Sequence, residues 1–497
     1  MSLLTGHAVP FFPFRRFISL CAAKSEAVLC GAAVPADKIA IGGSDTALKF
    51  FHTIRTKICS LFQRNKKCCI IFSIALPAFL LSGIIYFSYT NHVSDSSEEP
   101  PVSDSASNAL DATTAAQPSQ EDSAAEELPE PEPEAPPEPV LNDDSLLAIV
   151  DQYADEYNAV NISAAVVENG AVTASCGWGM ADLGGRAMTK DTKIRCASIS
   201  KVVVALCAMR MAQDGLVNLD DSISNYWGVD ISSRSYPDVP ISLELLLTHT
   251  STISELTAQR SLSAAASSLS QHPFTGEKPG SIWRYSNYGY GVIGLTLEQA
   301  YGNTLEEYVQ SYFLKPMGID GSFYTASFSA EELASLYRGT TNEWSAANQA
   351  ATRLPQGIGD AMSFFCGNFT SSAGDYAKLI ALLANDGTYD GVFYLSPEAI
   401  ADMETPRLAA NNGESDFQQC LTLRRKENVY GQEILYYHTG SAYGVYALAS
   451  YNPITRNGVV VISSGANRSI DEEGIYGLCA SISKEAYRQI DAGKGTI

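Results

Sequence analysis

The sequence predicts an α+β fold: an antiparallel sheet flanked by helices, with a helical subdomain inserted and one transmembrane helix in front. Three patterns in the 497 residues carry that prediction. Alternating apolar runs bounded by turn residues stand near 162–178 and again near 434–463, so one sheet is built from both ends of a folded unit. Helix-period segments fill the interval, and a charge-free apolar run lies upstream, near residue 70.

Residues 1–66 carry short apolar patches interrupted by Lys24, Glu26, Asp37 and Lys38 and show no sustained period. Between Lys67 and Asp95 no charge occurs, and Cys68–Tyr89 supplies about the ~20 apolar residues that a bilayer-spanning helix requires. A transmembrane helix is therefore expected over 67–90. Arg55, Lys57, Arg64, Lys66 and Lys67 precede it and acids follow it, which places the N-terminal segment in the cytoplasm and the bulk of the chain outside the cell, held at the membrane by a single pass. From 91 to 142 the composition turns to Ser, Ala, Pro and Glu and ends in an acidic Pro/Glu-rich tract, expected to be a disordered linker. A flexible chain of that length spans roughly 40 Å, and self-repelling acids extend it further.

The folded unit is expected over 143–497. Leu146–Tyr157 has helical spacing; Ile162–Val167 and Ala171–Trp178 read as strands paired across Glu168-Asn169-Gly170. Ile434–Thr439, Gly444–Tyr451 and Gly458–Ser463 read as antiparallel strands, and Asp471–Ile490 as a closing helix. The formal charge of −22 divides by zone: by count 1–67 is positive, 91–144 strongly negative, and the remainder acidic. Such a field repels phosphate backbones, so no nucleic-acid partner is expected. Six cysteines beyond the span (Cys176, Cys196, Cys207, Cys366, Cys420, Cys479) show no metal spacing, and no cofactor or metal is expected.

The chemistry begins at Ser198-Ile199-Ser200-Lys201, which enters the apolar run Val202–Leu206 of a helix ending near Gly215. Residues i and i+3 share a helix face, so Ser198 and Lys201 can meet. A serine hydroxyl becomes a nucleophile when a neighbour takes its proton, and a lysine does so when burial lowers its pKa from ~10.4 towards neutrality. The chain supplies its own control, because Ala480-Ser481-Ile482-Ser483-Lys484 repeats Ala197–Lys201 letter for letter. That copy continues Glu485-Ala486-Tyr487-Arg488, a polar surface helix where the lysine stays solvated. Tyr285-Ser286-Asn287 adds a phenol and an amide on a loop, for proton transfer and for a substrate carbonyl. His438-Thr439-Gly440-Ser441 ends a strand: Gly440 lets a substrate backbone lie close, and the Ser441 N–H can pair with that of Ser198 as an oxyanion hole.

Ser-x-x-Lys, Tyr-x-Asn and His-Thr-Gly in this order resemble the three motifs of the serine β-lactamase and penicillin-binding superfamily. Leu216–Asp221, Ile241–Ser251, Leu314–Ile319 and Ser371–Asp375 are similar to stretches of its class C branch, and the resemblance covers Asp143 to Asp491. It implies a β-lactamase/transpeptidase-like fold, Ser198 as acylated nucleophile, Lys201 and Tyr285 as acid/base pair, and Asn287 on the substrate amide. His438 would lie near the substrate carboxylate, with Thr439, Gly440 and Ser441 completing the binding strand. His in place of the third motif's usual Lys is similar to D-alanyl-D-alanine carboxypeptidases. The expected substrate is thus a small peptide or ester, peptidoglycan included, with D-peptidase ranked ahead of esterase and β-lactamase. A penicillin-binding sensor that does not turn over is the alternative of a different class. No Gly-x-Ser-x-Gly elbow supports a Ser-His-Asp hydrolase, and His249 reads as a core residue.

Overall fold

A computed structural model describes residues 138–409 and 417–494. The N-terminal segment, the expected span over 67–90 and nearly all of the linker lie outside the described residues. Among the described residues no helix is long and apolar enough to cross a membrane.

The principal elements, in chain order, are α1 (Asp143–Ala154), β1 (Asn161–Glu168), β2 (Ala171–Asp182), α2 (Ser200–Gln213), α3 (Asn287–Tyr301), α4 (Ala373–Ala384), β3 (Arg424–Val429), β4 (Gln432–Ala442), β5 (Val445–Asn452), β6 (Asn457–Ser464) and α5 (Gly477–Lys494). The sheet runs β3-β4-β5-β6-β1-β2, extended by two-residue strands to nine in all, and every pairing in it is antiparallel. The β1–β2 hairpin forms as expected because Asn169 (φ 51°) and Gly170 (φ 82°) both adopt the left-handed backbone of a two-residue loop. The early and late strands of the folded unit meet where β1 pairs with β6, Asn161 opposite Ser464.

Every residue of β1 is buried, since both faces of the sheet are covered. Ala165 and Val167 enter the larger core with α4, whereas Ile162, Ala164 and Val166 enter the core under α1 and α5. That period of two pins the register, because a one-residue slip would exchange the two sets.

Two boundaries differ from the sequence expectation. α1 starts earlier, at Asp143, because Asn142 and Ser145 form a reciprocal cap. α5 starts six residues later than Asp471. The Asp471 carboxylate accepts the N–H groups of Glu473 and Ile475 (3.0 and 2.8 Å), and Gly474 at φ 77° turns the chain, so this acidic stretch is a cap-like turn and not helix.

Candidate active site

Ser198 sits in a single 3-10 turn, Ala197–Ile199, leading into α2. Ala197 adopts φ 49°, a left-handed conformation costing about 1–2 kcal/mol for a residue with a Cβ. The turn is held by Cys196 N–H donating to Phe369 O (2.8 Å) and by Ser200 Oγ, which donates to Ala197 O (2.6 Å) and accepts from Phe369 N (2.9 Å). Its effect is selective: Ser198 is partly exposed while its neighbours from Thr192 to Met209 are buried.

Lys201 is fully buried, and its Nζ lies 3.3 Å from Ser198 Oγ, 2.9 Å from Asn287 Oδ1 and 2.5 Å from Cys366 O. The apolar surroundings expected from the sequence are corrected here, since three oxygen acceptors match the three donors of an ammonium. The same nitrogen lies 4.9 Å from the Tyr285 ring centre and 5.2 Å from that of Tyr290. Ser198, Lys201, Tyr285 and Asn287 therefore converge.

Tyr285 stands in the loop that was expected, whereas Asn287 does not. Ser286 N-caps α3 by accepting from Gly289 N–H (2.9 Å), and Asn287 is the first residue of that helix. A Cβ built at Gly291 would lie 2.7 Å from Met362, and one at Gly294 2.1 Å from Phe365. These glycines admit the segment that carries Cys366 against α3, so the amide and the carbonyl reach the same lysine.

The third motif lies on β4. β3 ends at Arg424 opposite Tyr437, so among the described residues no strand pairs with His438–Ala442 on that side. A Cβ at Gly440 would lie 2.9 Å from Cys196 O and 3.0 Å from Ser198 N. The close approach at Gly440 is thus to the serine's own turn, which corrects the expectation of an approach to substrate. Ser441 is exposed and Thr439 nearly buried.

His438 is also corrected. It is 1% exposed, with Nδ1 2.6 Å from Thr439 O, and burial, Arg424 and Lys201 hold it well below the ordinary histidine range. It is a neutral, enclosed imidazole; the cation at this end is Arg424, whose Nη1 donates to Thr439 Oγ1 at 3.2 Å.

Sequence reasoning missed two further contributors. His249 is a core residue, but its Nδ1 accepts from Ser286 N–H (3.1 Å) and its ring centre lies 4.4 Å from that of Tyr285. Burial and Lys201 push its pKa down. The polar run Thr248–Ser251, buried after an apolar helix, was the available signal. Cys366 acts through its carbonyl, which no side-chain pattern reveals. In the repeated pentapeptide, Ser481 Oγ pairs with Tyr157 Oη (2.9 Å) and Lys484 is exposed. Among the described residues no group of three or more His, Cys, Asp or Glu could hold a metal ion.

The β-lactamase family model matches residues 146–477. Protein flp of Staphylococcus aureus is 28% identical over 160 residues, and the match spans 31% of this chain and about a third (32%) of that relative's length. The octameric penicillin-binding protein homologue of Pyrococcus abyssi superposes with a TM-score of 0.56 at 21% identity, over 70% of this chain and 77% of that one. The β-lactamase/D-alanine carboxypeptidase of Yersinia pestis gives 0.55 at 18% identity, over 69% and 98%. These likenesses show an α+β fold of the β-lactamase/transpeptidase type. A match over more than half of the residues shows that the chain belongs to the β-lactamase family.

Proposed function

We propose that this protein is a membrane-anchored serine hydrolase that forms an acyl-enzyme at Ser198, acting on cell-wall-type peptides ending in a D-amino acid. The observation that carries the reading is the convergence of Ser198 Oγ, Asn287 Oδ1 and the Tyr285 ring on Lys201 Nζ, beside the unpaired edge of β4. A peptide laid along that edge adds a strand and places its scissile carbonyl between the N–H groups of Ser198 and Ser441. Ser198 Oγ bonds to the carbonyl carbon while its proton passes into the Lys201–Tyr285 pair. That pair returns the proton to the leaving nitrogen as the C–N bond breaks, and Asn287 orients the acyl amide. Water then cleaves the ester, giving the acid and regenerating Ser198.

The carboxypeptidase reading rests on Arg424. With His438 neutral and enclosed, a leaving group that ends in a carboxylate meets a guanidinium already oriented by Thr439. Anchoring outside the cell rests on the charge-free run 68–90 and the basic residues before it, Lys67 included.

The test is a substrate panel on the purified full chain: a D-Ala-D-Ala peptide, nitrocefin and a p-nitrophenyl ester. Release of D-Ala is expected, and Arg424→Gln raises KM for the peptide about tenfold while leaving the uncharged ester within about twofold. Equal losses on both substrates would count against Arg424 as the carboxylate partner. Rapid nitrocefin turnover without D-Ala release would reassign the enzyme as a β-lactamase.

A further inference from the structure

Arg424 serves one end of the β4 edge; the structure holds a second guanidinium at the other. Arg195 lies three residues before Ser198, at most about 11 Å from it along the chain. It is 7% exposed, and its Nε donates to the carbonyl of Gly367 (2.8 Å), the residue after Cys366. The guanidinium lies against two neighbouring aromatic rings, 5.1 Å from the centre of Trp344 and 4.6 Å from that of Tyr443, whose centres are themselves 5.5 Å apart. Its Nη1 is sealed from solvent without a hydrogen-bond partner, and among the described residues no carboxylate lies within ion-pair distance of it.

This arrangement is not self-sufficient. A guanidinium keeps its charge, and burying one without an anion costs several kcal/mol, of which two aromatic faces return only about 2 kcal/mol or somewhat more. The cover over it is light. Tyr443 is 47% exposed and occupies, at φ 53°, the two-residue turn it forms with Gly444 between β4 and β5. It stands two residues beyond Ser441, just past the end of the strand that flanks the nucleophile.

The positions form a line. Tyr443 lies four residue steps beyond Thr439, about 13 Å at strand rise. A peptide with its terminal carboxylate at Arg424 and its scissile carbonyl at Ser198 directs its acyl portion towards Tyr443 and Arg195. We propose that Arg195 is an anion subsite for the acyl part of the substrate, covered by a movable Tyr443 ring, so that preferred acyl donors carry a second carboxylate. The proposal rests on the Ser198 acyl-transfer reading and extends it to substrate class.

The experiment compares kcat/KM of the full chain for mono-p-nitrophenyl glutarate and p-nitrophenyl valerate, acyl chains of equal length with and without a terminal carboxylate. Taking the ratio cancels any general loss through the Arg195–Gly367 hydrogen bond. The glutarate/valerate ratio should fall about tenfold in Arg195→Gln and rise about threefold in Tyr443→Ala, where the cover is gone. A ratio within about twofold of wild type in Arg195→Gln overturns the subsite. If that variant does not fold, Tyr443→Ala decides: a rise supports the subsite, and an unchanged or lower ratio overturns it. Valerate turnover that persists in Ser198→Ala would count against the nucleophile and not against Arg195, so the two failures are told apart.

Discussion

At Gly440 the absence of a methyl group lets β4 lie against the turn that presents Ser198, and the proposed pairing of the Ser198 and Ser441 N–H groups as an oxyanion hole depends on that contact. Gly440→Ala should therefore separate Ser441 from Ser198 and lower kcat/KM at least ~100-fold, the scale on which one oxyanion donor is felt. A variant within about tenfold of wild type, in ester kinetics on folded protein, would mean that the two N–H groups do not act together. Proximity set by close spacing was legible: Ser198 lies one turn before Lys201, and Tyr285 and Asn287, close in sequence, approach the same lysine. Those that act through tertiary placement were not. Arg424 reaches the site only because β3 stops opposite Tyr437, Cys366 contributes a backbone oxygen, and His438 is neutral because of burial that spacing cannot report.

At the scale of elements, α3 is the part whose start spacing missed. Tyr285 and Ser286 lie in a loop as expected, but Asn287 already begins α3, and Gly291 and Gly294 lie inside that helix, where they admit Met362 and Phe365. Gly294→Ala would place a methyl 2.1 Å from the Phe365 ring, and overpacking of that kind costs about 1–3 kcal/mol. Urea titration should show that loss, and turnover should fall with it because Phe365 adjoins the carbonyl that holds Lys201. Unchanged stability would show that Phe365 has room to move. The helix forms despite its glycines because Ser286 caps it and its length from Tyr288 to Glu298 is buried. Strand pairing was easier to read, since Asn169-Gly170 and the two-residue period specify both hairpin and faces.

Across the whole molecule, the sheet built from both ends was legible because its strands are apolar runs bounded by turn residues, whereas the inserted helices owe their arrangement to contacts far apart in sequence. Glu298 is one such contact. It sits fully buried on α3 and accepts the N–H groups of Leu305 (3.1 Å) and Gly359 (2.8 Å), and burial pushes its pKa up to about 7. A carboxyl raised in the folded state binds its proton there more tightly than in the unfolded chain. Its contribution to stability is therefore complete below about pH 4.5 and is lost as pH rises towards 7. Between pH 5 and pH 8 wild type should lose on the order of 2 kcal/mol more than Glu298→Gln in urea titrations, and parallel pH profiles would contradict this. The most direct test of the account is covalent labelling of the full chain by a fluorescent phosphonate, comparing wild type, Ser198→Ala and Ser481→Ala. Labelling is expected to vanish in Ser198→Ala and to persist in Ser481→Ala; Ser198→Ala that labels like wild type would contradict the assignment of the nucleophile.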